Sequence, residues 1–468
     1  MHRRPLPPET FFEGTPPHVR AYIEQLHATI ADLHTRIAEL ETRQAKNSTN
    51  SSLPPSSEHP HAKPARPAPK SLRRCGGQPG HAKHQRPLLP TEQCQRVIPC
   101  VPPTCRRCAA PLSGTDPQPL RHQVWELPEI KPSVTEYQRH RLTCRCGTVT
   151  CGSLPAGVPT GQAGPRLIAF SGLLLSCFRQ SKRRAALFLS MILHQPASPG
   201  WMVSLQKLAA EAVQPAYDEL VRQLPQQAVL YIDESPTKEG KTKSWIWTFV
   251  AATFTLFASR TSRAADILAQ WLGEAYTGVI HCDRARMYWS FGRLQWCWAH
   301  LKRDIQGLID SPCHTARRLG RDLMRPTKEL FVLWQKVRDG TLSRAAFVEQ
   351  MKPIRAEVES LLLRGYFNAR VSGFCKGLWE HRQNLWTFVE VERVEPTNNA
   401  AEQALRQAVI WRKLSFGTQS AAGSRFVERL LTVVETCRRQ QRNVFSWLVE
   451  AVEARFAGKT APSLLSGV

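Results

Sequence analysis

The sequence predicts a multidomain α/β protein, and three observations lead to this fold class. The chain has 468 residues, whereas one hydrophobic core stops growing near about 250–300 residues. Its N-terminal third holds a heptad repeat and a cluster of cysteines, separated by a stretch rich in proline and serine. Beyond residue 225 the apolar pattern changes from helical spacing to short runs typical of buried strands.

The charge balance restricts the function classes. The chain carries 63 Lys and Arg against 38 Asp and Glu, a net charge of +25, which indicates a polyanionic partner such as nucleic acid. A hydrophobic fraction of 42% with 13 Trp excludes wholesale disorder. The sequence contains no apolar span near about 20 residues, and residues 1–8 lack the apolar core of a signal peptide. We therefore expect a cytoplasmic, nucleoid-associated protein without a membrane-spanning helix.

Residues 20–45 are predicted to form a coiled-coil helix. Apolar residues alternate three and four positions apart along the seam, which consists of Ile23, Leu26, Ile30, Leu33, Ile37 and Leu40. Ile at every a position and Leu at every d position favours parallel two-stranded pairing. We therefore expect a homodimer or a higher oligomer. The alternative is an amphipathic helix that packs on its own domain.

Residues 46–72 are predicted to form an extended linker. Asn, Ser and Pro dominate residues 47–57, and four further prolines follow among Lys, His and Arg. Such a composition has little apolar surface to bury.

Residues 73–155 are predicted to form a zinc-binding module. Eight of the 14 cysteines fall between Cys75 and Cys151, and in a reducing compartment clustered cysteines are more often metal ligands than disulfides. A Cys-x-x-Cys and a Cys-x-Cys-Gly motif flank two segments with strand-like alternation, residues 123–127 and 133–142. This arrangement is typical of a tetrahedral structural zinc site. The predicted ligands are Cys105, Cys108, Cys144 and Cys146.

The second cysteine motif is one residue shorter than the first, which leaves alternatives open. Cys94, Cys100 or Cys151 is an alternative for one ligand. Thiols without a metal are the other interpretation of the cluster.

Residues 160–225 are predicted to form a helical DNA-binding region. Helical spacing of apolar residues is interrupted at residues 196–200, which hold two prolines and a glycine, and resumes at Trp201. Two helices around a short turn are typical of a helix-turn-helix motif. In that interpretation Lys182, Arg183 and Arg184 contact DNA phosphates. A purely structural helical hairpin is an equal alternative.

Four short apolar strands and one helix are predicted after residue 225. The strands cover residues 228–234, 245–251, 254–259 and 278–283, and the helix covers residues 264–271. Three strands, a helix and a further strand form the opening of an RNase H-like α/β domain. Asp233 and Asp283 end the first and the last of these strands. Because sites in open α/β sheets form at the carboxyl ends of strands, we expect the two aspartates to converge.

Converging carboxylates indicate a divalent metal. Two carboxylates side by side repel each other unless a cation lies between them. Mg²⁺ (or Mn²⁺) is the expected cation, because Mg²⁺ binds a few carboxylates and completes its shell with water and phosphate oxygens. Two such ions can hold the attacking and leaving oxygens of a phosphodiester. The alternative is that Asp233 and Asp283 merely terminate their strands.

A third acid, Glu402, is predicted near the start of a helix. Residues 395–399 contain Pro and Asn, which favour helix starts, and an Ala-rich segment follows. Arg406 lies one helical turn after Glu402, so an ordinary surface ion pair is the alternative. From residue 403 to 442 there are eight Lys and Arg and two Glu, which suits contact with a phosphate backbone. The predicted DNA contacts here are Arg406, Arg412 and Lys413.

These motifs resemble those of the insertion-sequence-66 family of bacterial transposases, in order and over nearly the whole chain. The linker residues 47–57 and the string Gly-Gly-Gln-Pro-Gly-His at residues 76–81 are similar to N-terminal family motifs. The two cysteine motifs resemble its zinc-binding module. The remaining matching strings are Asp233-Glu-Ser, Cys297-Trp-Ala-His300, Asn398-Asn-Ala-Ala-Glu402 and Trp411-Arg-Lys413.

The resemblance implies an RNase H-like catalytic domain built from residues 226–303 and 394–455, with a helical insertion at residues 304–393. It implies that Asp233, Asp283 and Glu402 form an Asp-Asp-Glu (DDE) triad that holds Mg²⁺ or Mn²⁺. Terminal inverted repeats and target DNA would be the substrates. Small accessory transposition proteins would be encoded beside the chain.

The chain departs from the family pattern at three positions. Ser235 stands where Thr is usual, Gln403 where Arg is usual, and Cys75 is unusual before the glycines. None of these changes removes a triad carboxylate. We therefore expect a transposase that catalyses DNA strand cleavage and strand transfer.

Three alternatives stay open at this point. One is a non-catalytic, zinc-containing DNA-binding protein derived from a transposase. Another is an RNase H-like nuclease that acts on RNA hybrids. For Cys297 and His300, a second metal site is an alternative to a packed, hydrogen-bonded pair behind the sheet.

Overall fold

A computed structural model describes residues 14–44 and 87–465 of the chain. The predicted linker and the glycine-rich string at residues 76–81 lie outside the described residues, as does Cys75. The chain divides into two compact units, one formed by residues 60–133 and the other by the rest. In the described residues, helices and a mixed sheet alternate, which confirms the α/β class.

The predicted N-terminal helix is confirmed as α1 (Pro17–Gln44). Its seam faces solvent: Ile30 is 48% exposed and Leu33 is 51% exposed. Exposed apolar residues in a continuous stripe indicate an interaction surface. Pairing of α1 with a second copy stays a prediction.

Replacing both Ile30 and Leu33 with Asp is expected to lower self-association of the full chain. Two charges in a heptad seam remove its apolar contacts and repel the same residues of a partner. Sedimentation velocity measures the change. The matched control replaces Ala31 and Thr35 with Asp, because both lie on α1 outside the seam. Equal association of the two variants would contradict the coiled-coil prediction.

The unit formed by residues 60–133 contains little regular structure in its described part. A short 3-10 helix spans Thr91–Gln93, and an isolated antiparallel bridge joins Thr104 to Pro111 around the first cysteine motif. The prediction of a strand at residues 123–127 is wrong. Val124 is 80% exposed, and alternating apolar residues form a strand only where a neighbour covers one face and pairs the backbone.

A two-stranded hairpin surrounds the second cysteine motif. Its strands β1 (Arg141–Thr143) and β2 (Val149–Cys151) pair antiparallel. The strand predicted at residues 133–142 is wrong except for its last two residues. Val134 is 89% exposed, so this segment also lacks a surface on which to bury its alternating side chains.

Four helices confirm the helical prediction for residues 160–225. They are α2 (Pro165–Leu175), α3 (Lys182–Ile192), α4 (Pro199–Ala212) and α5 (Gln214–Gln223). The side chains of Ser181 and Ser198 cap α3 and α4 by accepting backbone N–H bonds from Arg184 and Trp201. The predicted break at residues 196–200 therefore lies just before and at the start of α4.

A five-stranded mixed sheet follows. Its strands are β3 (Val229–Glu239), β4 (Thr242–Val250), β5 (Thr255–Arg260), β6 (Val279–Cys282) and β7 (Leu294–Trp296). The strand order is β5-β4-β3-β6-β7. β3, β4 and β5 are antiparallel neighbours, whereas β6 is parallel to β3 and β7 is parallel to β6. Helix α6 (Ala265–Leu272) connects β5 to β6.

The prediction that the first strand ends at Asp233 is wrong. β3 continues to Glu239, because β4 provides an antiparallel partner for every residue from Tyr231 onward. The parallel pairing of β3 with β6 does stop at Tyr231 and His281. From Ile232 onward, β3 is therefore paired with β4 but no longer with β6, and Asp233 lies in this part of the strand.

The helical stretch predicted between residues 304 and 393 is confirmed as helical. Its elements are α7 (Trp298–Ile309), α8 (His314–Arg338), α9 (Arg344–Tyr366), α10 (Ser372–Glu380) and α11 (Thr387–Glu390). α8 packs on α7 and α9, and α10 packs on α9. The indole N–H of Trp298 donates to the carbonyl of Leu385 over 2.8 Å, which ties α7 to the end of this stretch.

Three C-terminal helices complete the unit: α12 (Asn399–Ser415), α13 (Ala421–Arg439) and α14 (Val444–Phe456). α12 packs on β3 and β4, and α14 packs on α2 and α4. The described residues from Ala163 to Leu464 share one hydrophobic core. No helix in the described residues is long and apolar enough to cross a bilayer.

Helix α13 covers the edge of the sheet with polar side chains. The backbone N–H groups of β5 donate to Thr436, Thr432 and Glu428, over 3.1, 2.9 and 2.9 Å. Exposed edge strands are templates for unwanted pairing. These bonds give the free backbone N–H groups of the β5 edge a partner. They also fix α13 to the sheet, and with it the end of the turn between α12 and α13.

Candidate functional site

Asp233 lies on β3, and Asp283 directly follows the neighbouring parallel strand β6. Tyr231 pairs with His281, and the two rings stack with centroids 5.0 Å apart. Each aspartate lies two residues after its member of this pair. Within β3, period-two alternation directs the Asp233 carboxylate to the same face as the Tyr231 ring. Asp283 accepts a 2.8 Å bond from the N–H of Ala285, just beyond the end of β6.

Glu402 reaches this region through the start of α12. Its N–H donates to the carbonyl of Asn398, the helix N-cap, over 3.0 Å. The Asn398 amide in turn donates to the carbonyl of Ile232 over 2.8 Å, and its own N–H donates to the Cys297 sulfur over 3.1 Å. Asn398 therefore fixes the first turn of α12 beside the residue that precedes Asp233.

The Asp233 carboxyl senses the charges of the other two acids. Burial, the charge of neighbouring Glu234 and the charges of Asp283 and Glu402 raise the pKa of the Asp233 carboxyl well above its ordinary value. One opposing effect is the 2.9 Å bond that Asp233 accepts from the N–H of Glu234. Like charges kept together at partial burial destabilise the site unless a cation joins them.

Glu234 points to different partners. Its carboxylate accepts from the Tyr288 hydroxyl at 2.5 Å and forms a 2.5 Å ion pair with Arg263. The structure thus separates the adjacent acids Asp233 and Glu234, as expected for neighbouring residues of one strand. Glu234 holds the short 3-10 turn Arg286–Tyr288 that follows Asp283.

His300 lies beside Glu402, a neighbour that the sequence motifs did not predict for it. Its Nδ1 lies 3.4 Å from a Glu402 carboxylate oxygen. Burial and the charge of Arg303 lower the pKa of His300, so the imidazole is neutral at neutral pH. The expectation that His300 packs behind the sheet is therefore wrong: α7 starts directly after Cys297 and directs His300 toward Glu402 one turn later.

Cys297 is buried and hydrogen-bonded, as expected. Ligand atoms of Cys297, His300 and Glu402 lie within 4.8 Å of one another. Burial raises the pKa of the Cys297 thiol to about 11, and its sulfur accepts the N–H of Asn398. This environment stabilises a neutral thiol, whereas metal ligation requires a thiolate. A structural role for Cys297 fits these contacts better than a metal-binding one.

Among the described residues, ligand atoms of Asp233, Asp283 and Glu402 do not form a group within 4.8 Å of one another, so the chemistry of their side chains rather than their spacing is what suits a hard divalent cation. The acids contribute carboxylate oxygens, the ligands that Mg²⁺ and Mn²⁺ prefer. Two buried oxygens, Glu402 Oε1 and Asn398 Oδ1, have no hydrogen-bond partner among the described residues, and neither does the neighbouring His300 Nδ1. Buried acceptors without a donor are costly, and a cation or its bound water would satisfy them.

The four predicted zinc ligands form two separate pairs along the chain. In the first motif, backbone N–H groups of Cys108 and Arg107 and the Cys108 side chain lower the pKa of Cys105. In the second motif, hydrogen bonds from Thr148 and Cys144 lower the pKa of Cys146 to about 7. The Cys144 carbonyl accepts the N–H of Gly147 over 2.8 Å, which closes this turn. Thiols that ionise easily are suited to metal binding.

Lys182, Arg183 and Arg184 are exposed on the first turn of α3. Cations at a helix N-terminus oppose the helix dipole and cost stability. The N-terminus also presents free N–H groups, so this position attracts anions. The placement agrees with the predicted role in phosphate binding, which stays a prediction.

Replacing Lys182, Arg183 and Arg184 together with Gln is expected to weaken DNA binding at all sequences alike. Each lost phosphate contact should lower the slope of log affinity against log salt by about 0.9. The fold should persist, because the Ser181 cap stays in place and the dipole is less opposed. Fluorescence anisotropy at several salt concentrations measures the slope.

The matched control replaces three exposed cations of α8 and α9, namely Lys336, Arg338 and Arg364, with Gln. This control removes the same charge from helix ends elsewhere. An equal loss of affinity in both variants would show that only net charge matters, which contradicts a specific role for α3.

The basic C-terminal segment contributes less free charge than its composition suggests. Arg425 pairs with Glu428 and Arg438 with Glu435, and Arg429 donates to the carbonyl of Ala210. These residues stabilise α13 rather than face a ligand. The sequence alone could not separate them, because a charge count does not show which arginines have partners inside the protein.

The three predicted DNA contacts on α12 differ in their surroundings. Arg406 and Lys413 are exposed. Arg412 donates to the Ser235 hydroxyl over 3.1 Å and also to the Pro236 carbonyl, and burial lowers its pKa. Arg412 therefore ties α12 to β3. Contact of these residues with DNA stays a prediction.

Comparison with known proteins identifies the family. A model described as "Transposase IS66 family" matches residues 161–425, and a model described as "Family of unknown function (DUF6444)" matches residues 13–87. The chain is 23% identical over 406 residues to uncharacterized protein y4qI of Sinorhizobium fredii (strain NBRC 101917 / NGR234), which covers 77% of the chain and 72% of the relative. It is 22% identical over 407 residues to uncharacterized protein y4hP of the same strain, with 78% and 72% covered.

The matched family region spans more than half of the chain. It begins just before α2 and ends in the first turn of α13, so it includes Asp233, Asp283, His300, Asn398 and Glu402. The resemblance noted from the motifs is thereby confirmed. The chain belongs to the IS66 family of transposases.

Proposed function

We propose that this protein is a DDE transposase that catalyses metal-dependent DNA strand cleavage and strand transfer at the ends of an insertion sequence. Family membership supports a transposase function in general. The observation that carries the catalytic proposal is that Asp233 on β3 and Asp283 just after β6 each lie two residues beyond the paired residues Tyr231 and His281, with Glu402 on the helix turn fixed beside Ile232.

An RNase H-like catalytic domain is part of this proposal. Three antiparallel strands followed by two parallel strands, in the order β5-β4-β3-β6-β7, support it. So does the passage of α12 across β3 and β4, which returns the third acid to the sheet after the long helical stretch. The supporting physical reason is that an acid on a packed helix is held more rigidly than one on a loop.

Asp233, Asp283 and Glu402 would hold one or two Mg²⁺ or Mn²⁺ ions. Bound there, the metal supplies a lowered pKa for the attacking water or 3′-hydroxyl and stabilises charge on the leaving oxygen. Asn398 positions Glu402 through its bond to the Ile232 carbonyl. The Nδ1 of neutral His300 lies 3.4 Å from Glu402 without a hydrogen bond in this structure, and a hydrogen bond from it would orient that carboxylate without adding a positive charge. It would thus act as a positioning residue.

The remaining modules would bind and arrange DNA. The first turn of α3, together with Arg406 and Lys413 on α12, would contact phosphates of the terminal inverted repeats and of target DNA. The two cysteine motifs would hold one structural Zn²⁺ in the N-terminal part. Helix α1 would pair two copies, so that two ends can be held in one complex, and small accessory proteins would complete the assembly.

Incubation of the purified chain with Mn²⁺ or Mg²⁺ and end-labelled DNA tests the proposal. The DNA should carry the terminal inverted repeats that flank its gene. We expect nicks at the repeat ends that leave 3′-hydroxyl groups, and joined products when target DNA is added. Binding without any cleavage under either metal would favour a non-catalytic DNA-binding protein. Cleavage of RNA–DNA hybrids at least as fast as of the repeat ends would favour a nuclease.

A further inference from the structure

A phenylalanine projects into solvent at the end of α12. Phe416 is 82% exposed and has φ +57°, in the left-handed region that non-glycine residues rarely adopt. It occupies the C-cap position of α12, and its N–H donates to the carbonyl of Arg412 over 2.8 Å. A large apolar ring held outward in a disfavoured backbone conformation suits contact with a ligand better than stability of the fold.

The turn that carries Phe416 is fixed to the tip of the β3–β4 hairpin. The N–H of Thr418 donates to the carbonyl of Lys238 over 2.9 Å, and the N–H of Gly240 donates to the carbonyl of Thr418 over 2.7 Å. Gly417, with φ +97°, allows this approach: a Cβ there would lie 2.4 Å from the Lys238 carbonyl oxygen. The ring therefore projects from a rigid base.

Lysines surround this base. Lys238, Lys241, Lys243 and Lys413 are exposed, and none of them takes part in an ion pair within residues 14–44 and 87–465. We call these four lysines and Phe416 the hairpin platform. The nearby acid, Glu239, accepts a bond from the Ser424 hydroxyl.

The lysine arrangement costs stability in the free protein. Lys238 and Lys243 are directly opposite each other on β3 and β4, and like charges at such positions repel. A polyanion would remove this repulsion. Lysines are depleted at protein–protein contacts, so the platform matches nucleic acid better than an apolar face of another protein.

We propose that the hairpin platform binds DNA, with Phe416 stacked on an unpaired or unstacked base and the lysines on flanking phosphates. This inference rests on the proposed function, because it assigns a further contact for the same substrate. Aromatic side chains inside a basic groove bind single strands in this way, and apolar wedges unstack base steps in duplexes.

The platform lies at a defined distance from the proposed catalytic site. Phe416 follows Glu402 by 14 positions along a single helix, which separates them by about 21 Å at 1.5 Å per residue. That length corresponds to about six base pairs at 3.4 Å each. The stacked base would therefore lie outside the triad, in DNA that flanks the cleaved position or in target DNA.

The test compares binding of single-stranded and duplex oligonucleotides by fluorescence anisotropy, with the full chain in buffer without added Mg²⁺ or Mn²⁺ so that no cleavage occurs. Phe416→Asn removes the ring but keeps a residue that tolerates a positive φ. We expect its affinity for single-stranded DNA to fall about five- to hundred-fold, the fold-change that corresponds to loss of one stacked base. Phe416→Trp should retain affinity. The melting temperature of Phe416→Asn should equal or exceed that of the unsubstituted protein.

Two controls sharpen the result. Phe367→Asn removes another ring of similar exposure, 79%, and should leave affinity unchanged. Lys238→Gln with Lys243→Gln should lower the salt slope of binding by up to about two and should not lower the melting temperature. Unchanged single-strand affinity of Phe416→Asn would overturn the inference. So would a loss of self-association in that variant with DNA affinity retained, because a second copy would then be the occupant.

Cleavage assays keep this inference separate from the proposed function. If the unsubstituted protein cleaves repeat ends but Phe416→Asn binds single strands normally, the inference alone fails. If Phe416→Asn loses binding while the unsubstituted protein never cleaves, the catalytic proposal alone fails.

Discussion

Replacing Asp233 or Asp283 with Asn, or Glu402 with Gln, is expected to abolish DNA strand cleavage while DNA binding persists. A metal at these carboxylates is worth several kcal/mol of charge stabilisation, which corresponds to a loss of about a thousand-fold or more in rate. Each acid has a distinct position, on β3, after β6 and on α12, so no neighbour can replace it. Glu234 in particular is bound to Arg263 and Tyr288.

Without Mg²⁺ or Mn²⁺, the Asp233→Asn variant should be more stable than the unsubstituted protein, although it no longer cleaves DNA. Burial and three neighbouring acids raise the pKa of Asp233, so its charged form opposes folding at neutral pH. Asp233→Asn removes that charge and should raise the melting temperature in buffer without Mg²⁺ or Mn²⁺. Added Mg²⁺ or Mn²⁺ should then stabilise the unsubstituted protein but not this variant.

The matched control for the triad is Glu392→Gln, an exposed acid shortly before Glu402 in sequence. It should cleave normally. Cleavage by all three triad variants at the unsubstituted rate would refute the catalytic proposal. Loss of cleavage together with loss of DNA binding would point to misfolding, which the melting temperatures distinguish.

The second large effect concerns zinc. The purified, reduced chain is expected to carry about one zinc ion, and Cys105→Ser or Cys146→Ser should release it. Structural zinc provides apparent binding free energies of about 10–16 kcal/mol in small modules, so its loss should unfold the N-terminal part locally. Elemental analysis measures the metal, and limited proteolysis between residues 87 and 155 measures the unfolding.

Cys313→Ser provides the matched control. Cys313 is the N-cap of α8, where Ser is a favourable residue, so this variant should keep its zinc and its stability. A reduced chain that contains no zinc when freshly purified would contradict the prediction. Release of zinc by a Cys94, Cys100 or Cys151 substitution, but not by Cys146→Ser, would reassign the fourth ligand.

Helices and central strands were predictable because their patterns are local. The spacing of apolar residues predicted α1, the helices from α2 to α5 and the strands β3 to β6. Serines and prolines at their starts act over three or four residues. Strands at residues 123–127 and 133–142 were predicted wrongly because their alternation was also local, whereas a strand requires a partner that only the tertiary structure provides.

The sequence by itself determined the α/β class and the order of most elements, and it predicted the three acids, because residue type and spacing carry these features. The family followed from its motifs. Only the tertiary structure decided that Asp233 lies inside a long strand, that His300 faces Glu402 and that Arg412 holds α12 to β3. It also showed that several arginines of the basic tail have partners inside the protein, whereas Phe416 faces solvent near lysines that form no ion pair among the described residues. The physical reason is that strand pairing, burial and charge compensation depend on which side chains and strands become neighbours in the folded chain, which a linear pattern does not specify.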